Sequence, residues 1–358
     1  MGKKRIVAAM SGGVDSSVAA ALLAEQGWEV VGVTMKLLAR ADTGFGCCGS
    51  PADVDDAKRV CEKLEISHYT IDMAEVFSKK VIQPFVKDYL NARTPNPCVE
   101  CNRSLKFGHL LALAESWDCE AVATGHYARV DNDRLLKAKD QNKDQTYFLY
   151  SLTSKELARV RFPIGHLEKT EVRAKARELG LRTSDKPESQ EICFVPRRDY
   201  RSFLEGQPEA AGASTLAEGA IRDAEGREVG RHGGIAGYTV GQRKGLGSAG
   251  GAARYVVALE PETNTVVVGG PEDVYSPAFI ADGATWTGDA PDGPIPVQAR
   301  IRHRHAPAQA TLTPLSAGRV RVEFAQPQRA VTPGQAAVFY RDEQVLGGGI
   351  IASREAQR

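Results

Sequence analysis

Short apolar strands alternate with helical patterns through the first 200 residues, and this alternation limits the fold more than any other feature of the sequence. Residues 5–10 and 29–35 have the apolar composition of strands, and residues 16–26 between them have a helical pattern. The same order continues through further segments at 52–63, 67–71, 74–90 and 120–124. Strands separated by helices form a parallel sheet with helices on both faces. Ligands bind such a sheet beyond the carboxyl ends of its strands.

The pattern changes near residue 205, where helical periodicity fades and glycine becomes frequent. Residues 254–259 and 265–268 resemble two strands around a turn, and after 291–296, which is rich in Pro and Gly, only strand patterns remain. Short strands separated by turn residues are typical of a small β-barrel. The sequence therefore predicts an α/β catalytic domain at 1–205, a central domain at 206–290 and a β-barrel at 291–358.

The charge balance excludes attraction to nucleic acid through net charge alone. Lys and Arg number 46 and Asp and Glu number 45, so any nucleic-acid partner must be held by local patches. No apolar run reaches the 18 or more residues that a membrane span needs, and the N-terminus lacks the apolar core of a signal peptide. We therefore expect a cytoplasmic protein with no membrane contact. Seven cysteines in a chain of 358 residues agree with that compartment, because an odd count is not a secreted disulfide framework.

The segment SGGVDSS, residues 11–17, stands between the first strand and the first helix. Two glycines allow a tight turn and a close approach to a ligand, and the serines offer hydroxyl donors. The helix that follows presents unpaired N–H groups and the positive end of its dipole. This combination predicts a phosphate-binding loop, against the alternative of a tight turn that only caps a helix. The segment is neither GxxxxGK[ST] nor GxGxxG, and it resembles the loop of the ATP pyrophosphatases.

Cysteines form the second candidate site. The segment TPNPCVECN, residues 94–102, holds Cys98 and Cys101 after two prolines that prevent a helix from starting earlier. A third cysteine, Cys193, lies far along the chain in SQEICF. A bare CxxC is compatible with a redox pair, half of a metal site or chance. Cys61 and Cys119 lie within apolar patterns, which predicts buried packing roles.

Six segments occur in an order that resembles the bacterial tRNA-specific 2-thiouridylase family, and the resemblance covers residues 5 to about 352: SGGVDSS, TPNPCVECN, TGHYAR, KDQTYFLY, SQEICF and GYTVGQRKGLG. It implies ATP-dependent replacement of the C2 oxygen of the wobble uridine by sulfur in the tRNAs for Lys, Glu and Gln. It also implies an N-terminal ATP-pyrophosphatase domain, a small central domain and a C-terminal β-barrel. Mg²⁺ would neutralise the departing pyrophosphate.

The resemblance also implies residue roles. Cys193 would carry sulfur as a persulfide, and Cys101 would act as the nucleophile that either releases the sulfur, leaving a Cys101–Cys193 disulfide, or assists its transfer. Met35, at the end of the second strand, would face adenine, and Gly125 would allow a close approach to ATP. The predicted ATP-binding residues are Ala9, Met10, Ser11, Gly12, Gly13, Val14, Asp15, Ser16, Met35 and Gly125.

Cys98 departs from the family pattern, since many members have Asp at this position. That Asp is proposed to help proton transfer at the base, which a cysteine cannot do as a carboxylate would. Cys98, Cys101 and Cys193 are also enough to hold a [4Fe-4S] cluster with one open iron, which could bind sulfide in place of a persulfide. Both forms of the reaction remain open at this point.

The resemblance and local chemistry together predict contacts with the anticodon stem-loop of tRNA. Unpaired bases are recognised when they are splayed out and contacted at their edges. The segment from residue 298 onward contains nine Lys and Arg and four Asp and Glu. The alternation of Arg300, Arg302 and Arg304 within it predicts one basic strand face for phosphates. Arg243 and Lys244 would add phosphate contacts. The predicted tRNA-binding residues are Asn96, Pro97, Cys98, His126, Lys143, Asp144, Gln145, Arg302, His303 and Gln335.

Two other functions compete with this interpretation. One is an ATP pyrophosphatase that amidates a small molecule, which would not need Cys101 and Cys193. The other is a non-catalytic tRNA-binding module, which would have no use for an ATP loop. For the thiouridylase we also expect a monomer that receives sulfur from a cysteine desulfurase or a sulfur-relay protein.

Overall fold

The computed structural model describes residues 4–38, 49–187, 192–195, 199–246 and 253–355. The strands are β1 (Arg5–Ala9), β2 (Glu29–Lys36), β3 (Ser67–Asp72), β4 (Ala121–Ala123), β5 (Arg129–Asp131), β6 (Arg134–Leu136), β7 (Val160–Arg161), β8 (Gly219–Arg222), β9 (Glu228–His232), β10 (Tyr255–Glu260), β11 (Thr265–Gly269), β12 (Tyr275–Trp286), β13 (Ile295–Arg300), β14 (Ala308–Pro314), β15 (Val320–Arg329), β16 (Ala336–Arg341) and β17 (Gln344–Arg354). The α-helices are α1 (Val14–Glu25), α2 (Pro51–Lys63), α3 (Ala74–Phe77), α4 (Gln83–Leu90), α5 (Pro97–Glu100), α6 (Leu110–Ser116), α7 (Ser154–Leu157), α8 (Lys169–Glu178) and α9 (Tyr200–Glu205).

A parallel five-stranded sheet forms the centre of the first region, which confirms the predicted α/β architecture. Its order is β3-β2-β1-β4-β7, and every neighbouring pair is parallel. Apolar residues fill both faces of β1, where Val7 belongs to one hydrophobic cluster while Ile6 and Ala8 belong to another. A sheet that is covered on both faces leaves its carboxyl edge as the open side for a ligand.

Two long helical stretches contain π-helical turns. Residues Ser78–Ile82 join α3 to α4, and residues Cys101–His109 join α5 to α6. Pro84 lies in the first turn of α4, directly after the π turn. A proline there removes an N–H that a widened turn leaves without its usual partner.

A separate four-stranded sheet with its own small core forms the central region. Its order is β10-β11-β8-β9, and Ile221, Ile235, Val256, Val266 and Val268 fill its hydrophobic cluster.

The third region is a closed barrel, as the sequence predicts. Six strands follow one another in the order β12-β15-β14-β13-β16-β17, and pairing between β12 and β17 closes the ring. Strand β12 begins at Tyr275, so strand pairing of the barrel starts before residue 290. The domain boundary between the central domain and the barrel at residues 290 and 291 stays a prediction.

A hairpin from the first region extends the barrel sheet. Strands β5 and β6 pair with each other, and Leu136 of β6 pairs with Gln344 of β17. This hairpin is not predicted from the sequence, because strands of three residues each are too short to show a periodic pattern. It ties the first region to the barrel. Within the part of the chain that the structure describes, no helix is long and apolar enough to cross a membrane.

Candidate active site

The loop between β1 and α1 is held by hydrogen bonds of its own serines. The Gly13 carbonyl accepts the Ser16 and Ser17 hydroxyls at 3.1 Å and 2.8 Å. The Ser11 amide donates to Ser16 Oγ at 3.2 Å, and the Ser11 and Ser16 hydroxyls lie 3.1 Å apart. These bonds fix the turn so that the first N–H groups of α1 meet at the carboxyl end of β1. The arrangement is preorganised for an anion.

Glycine is required at two points where backbones meet. Gly12 has φ +70°, and a Cβ on it would lie 2.3 Å from the Asp53 carbonyl oxygen. A Cβ on Gly125 would lie 2.6 Å from the Ser16 amide nitrogen, so the loop after β4 packs directly against the start of α1. The sequence predicts that Gly125 approaches ATP, and the structure shows a close approach to the loop that would hold ATP.

Asp15 forms an ion pair with Lys169, a residue that is not predicted from the sequence. Lys169 Nζ donates to Asp15 Oδ1 and Oδ2 at 2.7 Å and 2.9 Å, and the Tyr127 hydroxyl donates to Oδ1 at 2.9 Å. The Lys169 side chain is only 10 % exposed, and its ammonium also lies 5.6 Å from the centre of the Tyr127 ring. The carboxylate offsets the charge of the lysine, and the ion pair fixes the first turn of α1 beside the loop.

A second lysine anchors the other side of the loop. Lys186 Nζ donates to the Gly12 carbonyl at 3.0 Å, to Asp53 at 2.7 Å and to Asp56 at 2.6 Å. Burial lowers the pKa of Lys186, but the hydrogen bonds to the two carboxylates outweigh it, so the pKa is raised and the side chain stays charged. Local sequence gives no signal for Lys169 or Lys186, since each is a single lysine in an ordinary polar segment.

The other residues predicted to bind ATP lie around the same sheet edge. Ala9 ends β1, Met10 is buried and donates its amide to Val33 at 2.8 Å, and Met35 is buried near the end of β2. Val14 and Asp15 open α1. The fold thus gathers these residues at the carboxyl ends of β1 and β2.

The CxxC segment begins a helix, as its prolines predict. The Asn96 side chain accepts the Cys98 amide at 3.2 Å and caps α5, while Pro97 occupies its first position and is buried. Cys98 is exposed, whereas Cys101 is 9 % exposed and belongs to the hydrophobic core. The two thiols therefore lie one helical turn apart with different access to solvent.

Cys193 is brought to the same core by its neighbour in sequence. The Phe194 ring packs edge-on against Phe85 at 5.1 Å and Phe77 at 5.6 Å between ring centres. Cys193 is partly buried and packs against the hydrophobic cluster that contains Cys101. The tertiary structure thus places both predicted sulfur-transfer cysteines in one cluster, although their separation in sequence is large.

The three cysteines do not form a metal site as they are arranged. Among the residues that the structure describes, no group of three His, Cys, Asp or Glu side chains could hold a metal ion. Cys98 is exposed while Cys101 is buried on the same helical stretch. The described side chains therefore show no donor set gathered for a cluster.

The barrel and the central region hold the start of the CxxC loop. Gln335 Nε2 donates to the Thr94 carbonyl at 2.7 Å, and the Thr94 amide donates to the Pro333 carbonyl at 3.0 Å. The Thr94 and Thr239 hydroxyls lie 3.2 Å apart. Gln335, predicted to contact tRNA, thus holds the loop that carries Cys98 and Cys101.

The predicted basic strand face of Arg300, Arg302 and Arg304 is wrong, because β13 ends at Arg300 and the next residues turn. Arg302 Nη2 donates to the Val240 carbonyl at 2.9 Å and to Thr332 Oγ1 at 2.6 Å. Burial lowers the pKa of Arg302. Arg302 joins the central region to the barrel, and only Arg304 of the three is exposed. Arg243 and Lys244 lie on an exposed turn of the central region.

Asp144 and Arg300 form an ion pair between the first region and the barrel. Arg300 Nη1 donates to Asp144 Oδ2 at 3.1 Å, and the two side chains are 14 % and 3 % exposed. The Asp144 carboxylate also accepts the Thr146 hydroxyl at 2.8 Å and the Ala138 amide at 3.2 Å. Its oxygens are engaged within the protein.

The neighbours of Asp144 have different positions. Gln145 Oε1 accepts the Tyr127 amide at 2.9 Å, which connects KDQ to the TGHYAR loop. Lys143 is partly exposed, and its amide donates to the Asp140 carbonyl at 3.1 Å. Of these three residues predicted to contact tRNA, Lys143 and Gln145 retain access to solvent.

The two histidines predicted to contact tRNA lie in different surroundings. His126 is buried beside Phe107 and Phe162, and its Nδ1 lies 2.7 Å from the Thr124 hydroxyl. Burial, with a smaller contribution from Lys106, holds its pKa well below the usual value. His303 is partly exposed and its ring lies 4.4 Å from that of Phe148. His303 is thus the one of the two with a ring near the surface.

Comparison with known proteins covers almost the whole chain. Residues 4–197 match the tRNA methyl transferase HUP domain, residues 211–270 the tRNA methyl transferase PRC-barrel domain and residues 276–351 the aminomethyltransferase beta-barrel domain. The tRNA-specific 2-thiouridylase MnmA of Carboxydothermus hydrogenoformans is 47 % identical over 367 residues, which covers 99 % of each chain. That of Heliobacterium modesticaldum is 48 % identical over 360 residues, covering 98 % of this chain and 92 % of its own. A solved 4-thiouridine synthetase–RNA complex with bound ATP matches at 19 % identity and TM-score 0.39, over 56 % of this chain and 50 % of that one.

Proposed function

This chain belongs to the tRNA-specific 2-thiouridylase family, and from that premise we propose that it replaces the C2 oxygen of the wobble uridine by sulfur in tRNAs for Lys, Glu and Gln. The observation that carries the proposal is that Cys193 packs against the hydrophobic cluster that contains Cys101. An amidating ATP pyrophosphatase would have no use for these two cysteines, and a tRNA-binding module would not need the serine-rich loop.

The first step activates the base. A carbonyl oxygen is a poor leaving group, so O2 attacks the α-phosphate of ATP, pyrophosphate leaves and O2 becomes part of an adenylate. Residues 11–16 hold the phosphates with backbone N–H groups, while Lys169 and Lys186 hold the loop in place through Asp15 and the Gly12 carbonyl. Met10 and Met35 support the adenine side, and Mg²⁺ would supply further charge neutralisation.

The second step delivers sulfur. Cys193 carries a persulfide, and the Cys101 thiolate attacks the Cys193 sulfur, which breaks the bond to the outer sulfur and forms a Cys101–Cys193 disulfide. The released hydrosulfide adds to C2 of the adenylate, AMP departs and 2-thiouridine forms. The buried position of Cys101 supports this step, because it keeps the hydrosulfide from escaping to water.

The tRNA contacts divide into direct and supporting ones. Asn96, Pro97 and Cys98 flank the base beside Cys101, while Lys143 and His303 contact the anticodon loop from the partly exposed surface. Asp144, Gln145, Arg302 and Gln335 hold that surface in place through the bonds described above, and His126 supports it from the core. We further propose a cytoplasmic monomer that receives sulfur from a cysteine desulfurase or a sulfur-relay protein.

The test is mass spectrometry of tRNA nucleosides after incubation of the enzyme with unmodified tRNA, ATP and a cysteine desulfurase. The wild-type enzyme should produce 2-thiouridine, and Cys193→Ala should reduce it by about a thousandfold or more while ATP still binds. Cys119→Ala is the matched control, because Cys119 is a buried cysteine that lies outside the CxxC segment and outside the segment of Cys193. Persistent 2-thiouridine from Cys193→Ala would refute the persulfide role, and its absence from the wild type would refute the function.

A further inference from the structure

The mechanism above leaves the enzyme with a disulfide that must be reduced before another turnover, and Cys98 has no chemical role in it. We propose that Cys98 is a resolving thiol that transfers the Cys101–Cys193 disulfide to the protein surface. The inference rests on the proposed function and assigns a new catalytic residue to it.

Cys101 is the most buried of the three thiols. Cys193 is partly buried, Cys101 is 9 % exposed and Cys98 is exposed. The Cys101 sulfur of a Cys101–Cys193 disulfide is therefore shielded from a bulky reductant, because thiol–disulfide exchange requires access to the sulfur that is attacked. Cys98 lies at the boundary between that core and solvent.

Cys98 is the cysteine nearest to Cys101 along the chain, and both lie on one helical stretch. Residues three apart lie on one helix face with Cβ atoms about 5–6 Å apart. A disulfide requires about 3.5–4.5 Å between Cβ atoms, so closure needs a small adjustment of the first turn. Cys98 is the second residue of α5, where the Asn96 cap is a 3.2 Å side-chain hydrogen bond. Such an end is the part of a helix that adjusts most readily.

The exchange balances without an added oxidant. The Cys98 thiolate attacks Cys101 Sγ, a Cys98–Cys101 disulfide forms and Cys193 leaves as a thiolate that is ready to accept the next sulfur. One S–S bond forms as one breaks. A dithiol reductant then attacks Cys98 at the surface, returns Cys98 and Cys101 to thiols and is itself oxidised to a disulfide.

The exchange requires less of the geometry than a cluster does. A cluster needs three thiols directed at one point, and the described residues hold no such group. The exchange needs Cys101 to meet one partner at a time. Cys61 and Cys119 cannot replace Cys98, because burial raises the pKa of Cys61 to about 12 and also raises that of Cys119.

The experiment follows the disulfides of the full-length enzyme during one turnover without reductant. Trypsin leaves Cys98 and Cys101 in one peptide, 94–103, and Cys193 in another, 183–197. A Cys98–Cys101 disulfide is therefore internal to one peptide, whereas a Cys101–Cys193 disulfide crosslinks the two peptides. In the wild type the crosslink should appear with 2-thiouridine and then decay into the internal disulfide. A crosslink that persists beside newly formed 2-thiouridine would overturn the inference, as would turnover with neither disulfide.

Two variants separate this role from a structural one. In Cys98→Ser and in Cys98→Asp the Cys101–Cys193 crosslink should persist, with one crosslink per 2-thiouridine formed. Counting crosslinks per 2-thiouridine corrects for any change in the first-turnover rate. The multiple-turnover rate of both variants should be at least about tenfold higher with a small dithiol such as dithiothreitol than with a bulky protein dithiol. Cys119→Ala should behave as the wild type. Equal use of both reductants by the Cys98 variants would overturn the inference, whereas a wild type without 2-thiouridine would instead refute the proposed function.

Discussion

The loop of residues 11–17, proposed to bind ATP, and the region around Cys101 and Cys193, proposed to transfer sulfur and here called the sulfur-transfer region, are built in opposite ways. Residues 11–17 form a contiguous loop in which serine hydroxyls bond to the loop's own backbone, and distant residues only reinforce it. The sulfur-transfer region joins two distant segments, and each is held from outside: Phe194 inserts into aromatic residues of other helices, and barrel residues hold Thr94. Damage to packing should therefore affect sulfur transfer before it affects ATP binding.

The largest expected effect tests the anchor of Cys193. Phe194→Ala removes a buried ring and should cost about 3–5 kcal/mol of stability, concentrated in the segment that carries Cys193. Thiolation should fall much more than ATP binding, measured by 2-thiouridine yield and nucleotide titration. Phe324→Ala is the control, since Phe324 is also buried but lies in the barrel core. Equal loss of both activities in Phe194→Ala would contradict the contrast between the regions.

The next effect tests the loop itself. Gly12→Ala should lose about 2–4 kcal/mol and weaken ATP binding at least about tenfold, because the residue has φ +70° and its Cβ would collide with Asp53. Gly27→Ala is a matched control, with φ +84° but nothing within 4 Å of the added Cβ. Calorimetric titration with ATP and thermal unfolding measure both terms. Similar losses in the two variants would mean that backbone strain, and not the collision, is responsible.

A smaller effect tests the support from the barrel. Gln335→Ala removes one hydrogen bond to Thr94 and should cost about 1 kcal/mol. The result should be a severalfold rise in KM for tRNA with ATP binding retained, measured by steady-state thiolation. Gln328→Ala is the control, because the Gln328 side-chain amide donates to the Gln326 carbonyl two residues away in the same strand. An unchanged KM would show that the loop holds its position without the barrel.

The last effect concerns pH and the buried His126. Its folded pKa lies well below 6.5, so below that pH the unfolded chain binds a proton that the folded chain does not. Stability should therefore fall as pH decreases below 6.5, by at most about 1.4 kcal/mol per pH unit from this group. Urea unfolding at pH 7 and pH 5 should show a smaller loss in His126→Asn than in the wild type. An identical loss in both proteins would mean that other histidines account for the pH dependence.

Local patterns in the sequence predict the first strands and helices closely. The strand predicted at 5–10 appears as Arg5–Ala9, and the helix predicted at 16–26 appears as Val14–Glu25. The pattern fails at 298–304, where alternation predicts a strand face but the strand ends at Arg300. The reason is tertiary, because Arg300 and Arg302 turn inward to pair with Asp144 and to bond with Val240 and Thr332.

The sequence by itself determined the glycine-serine loop and the parallel sheet, since turn chemistry, helix caps and apolar periodicity act between residues close in the chain. Only the tertiary structure decided that Lys169 and Lys186 meet that loop, that a hairpin at 129–136 extends the barrel and that Cys193 packs in the cluster of Cys101. Those contacts join segments far apart in sequence. Their formation depends on the packing of whole regions, which no local pattern records.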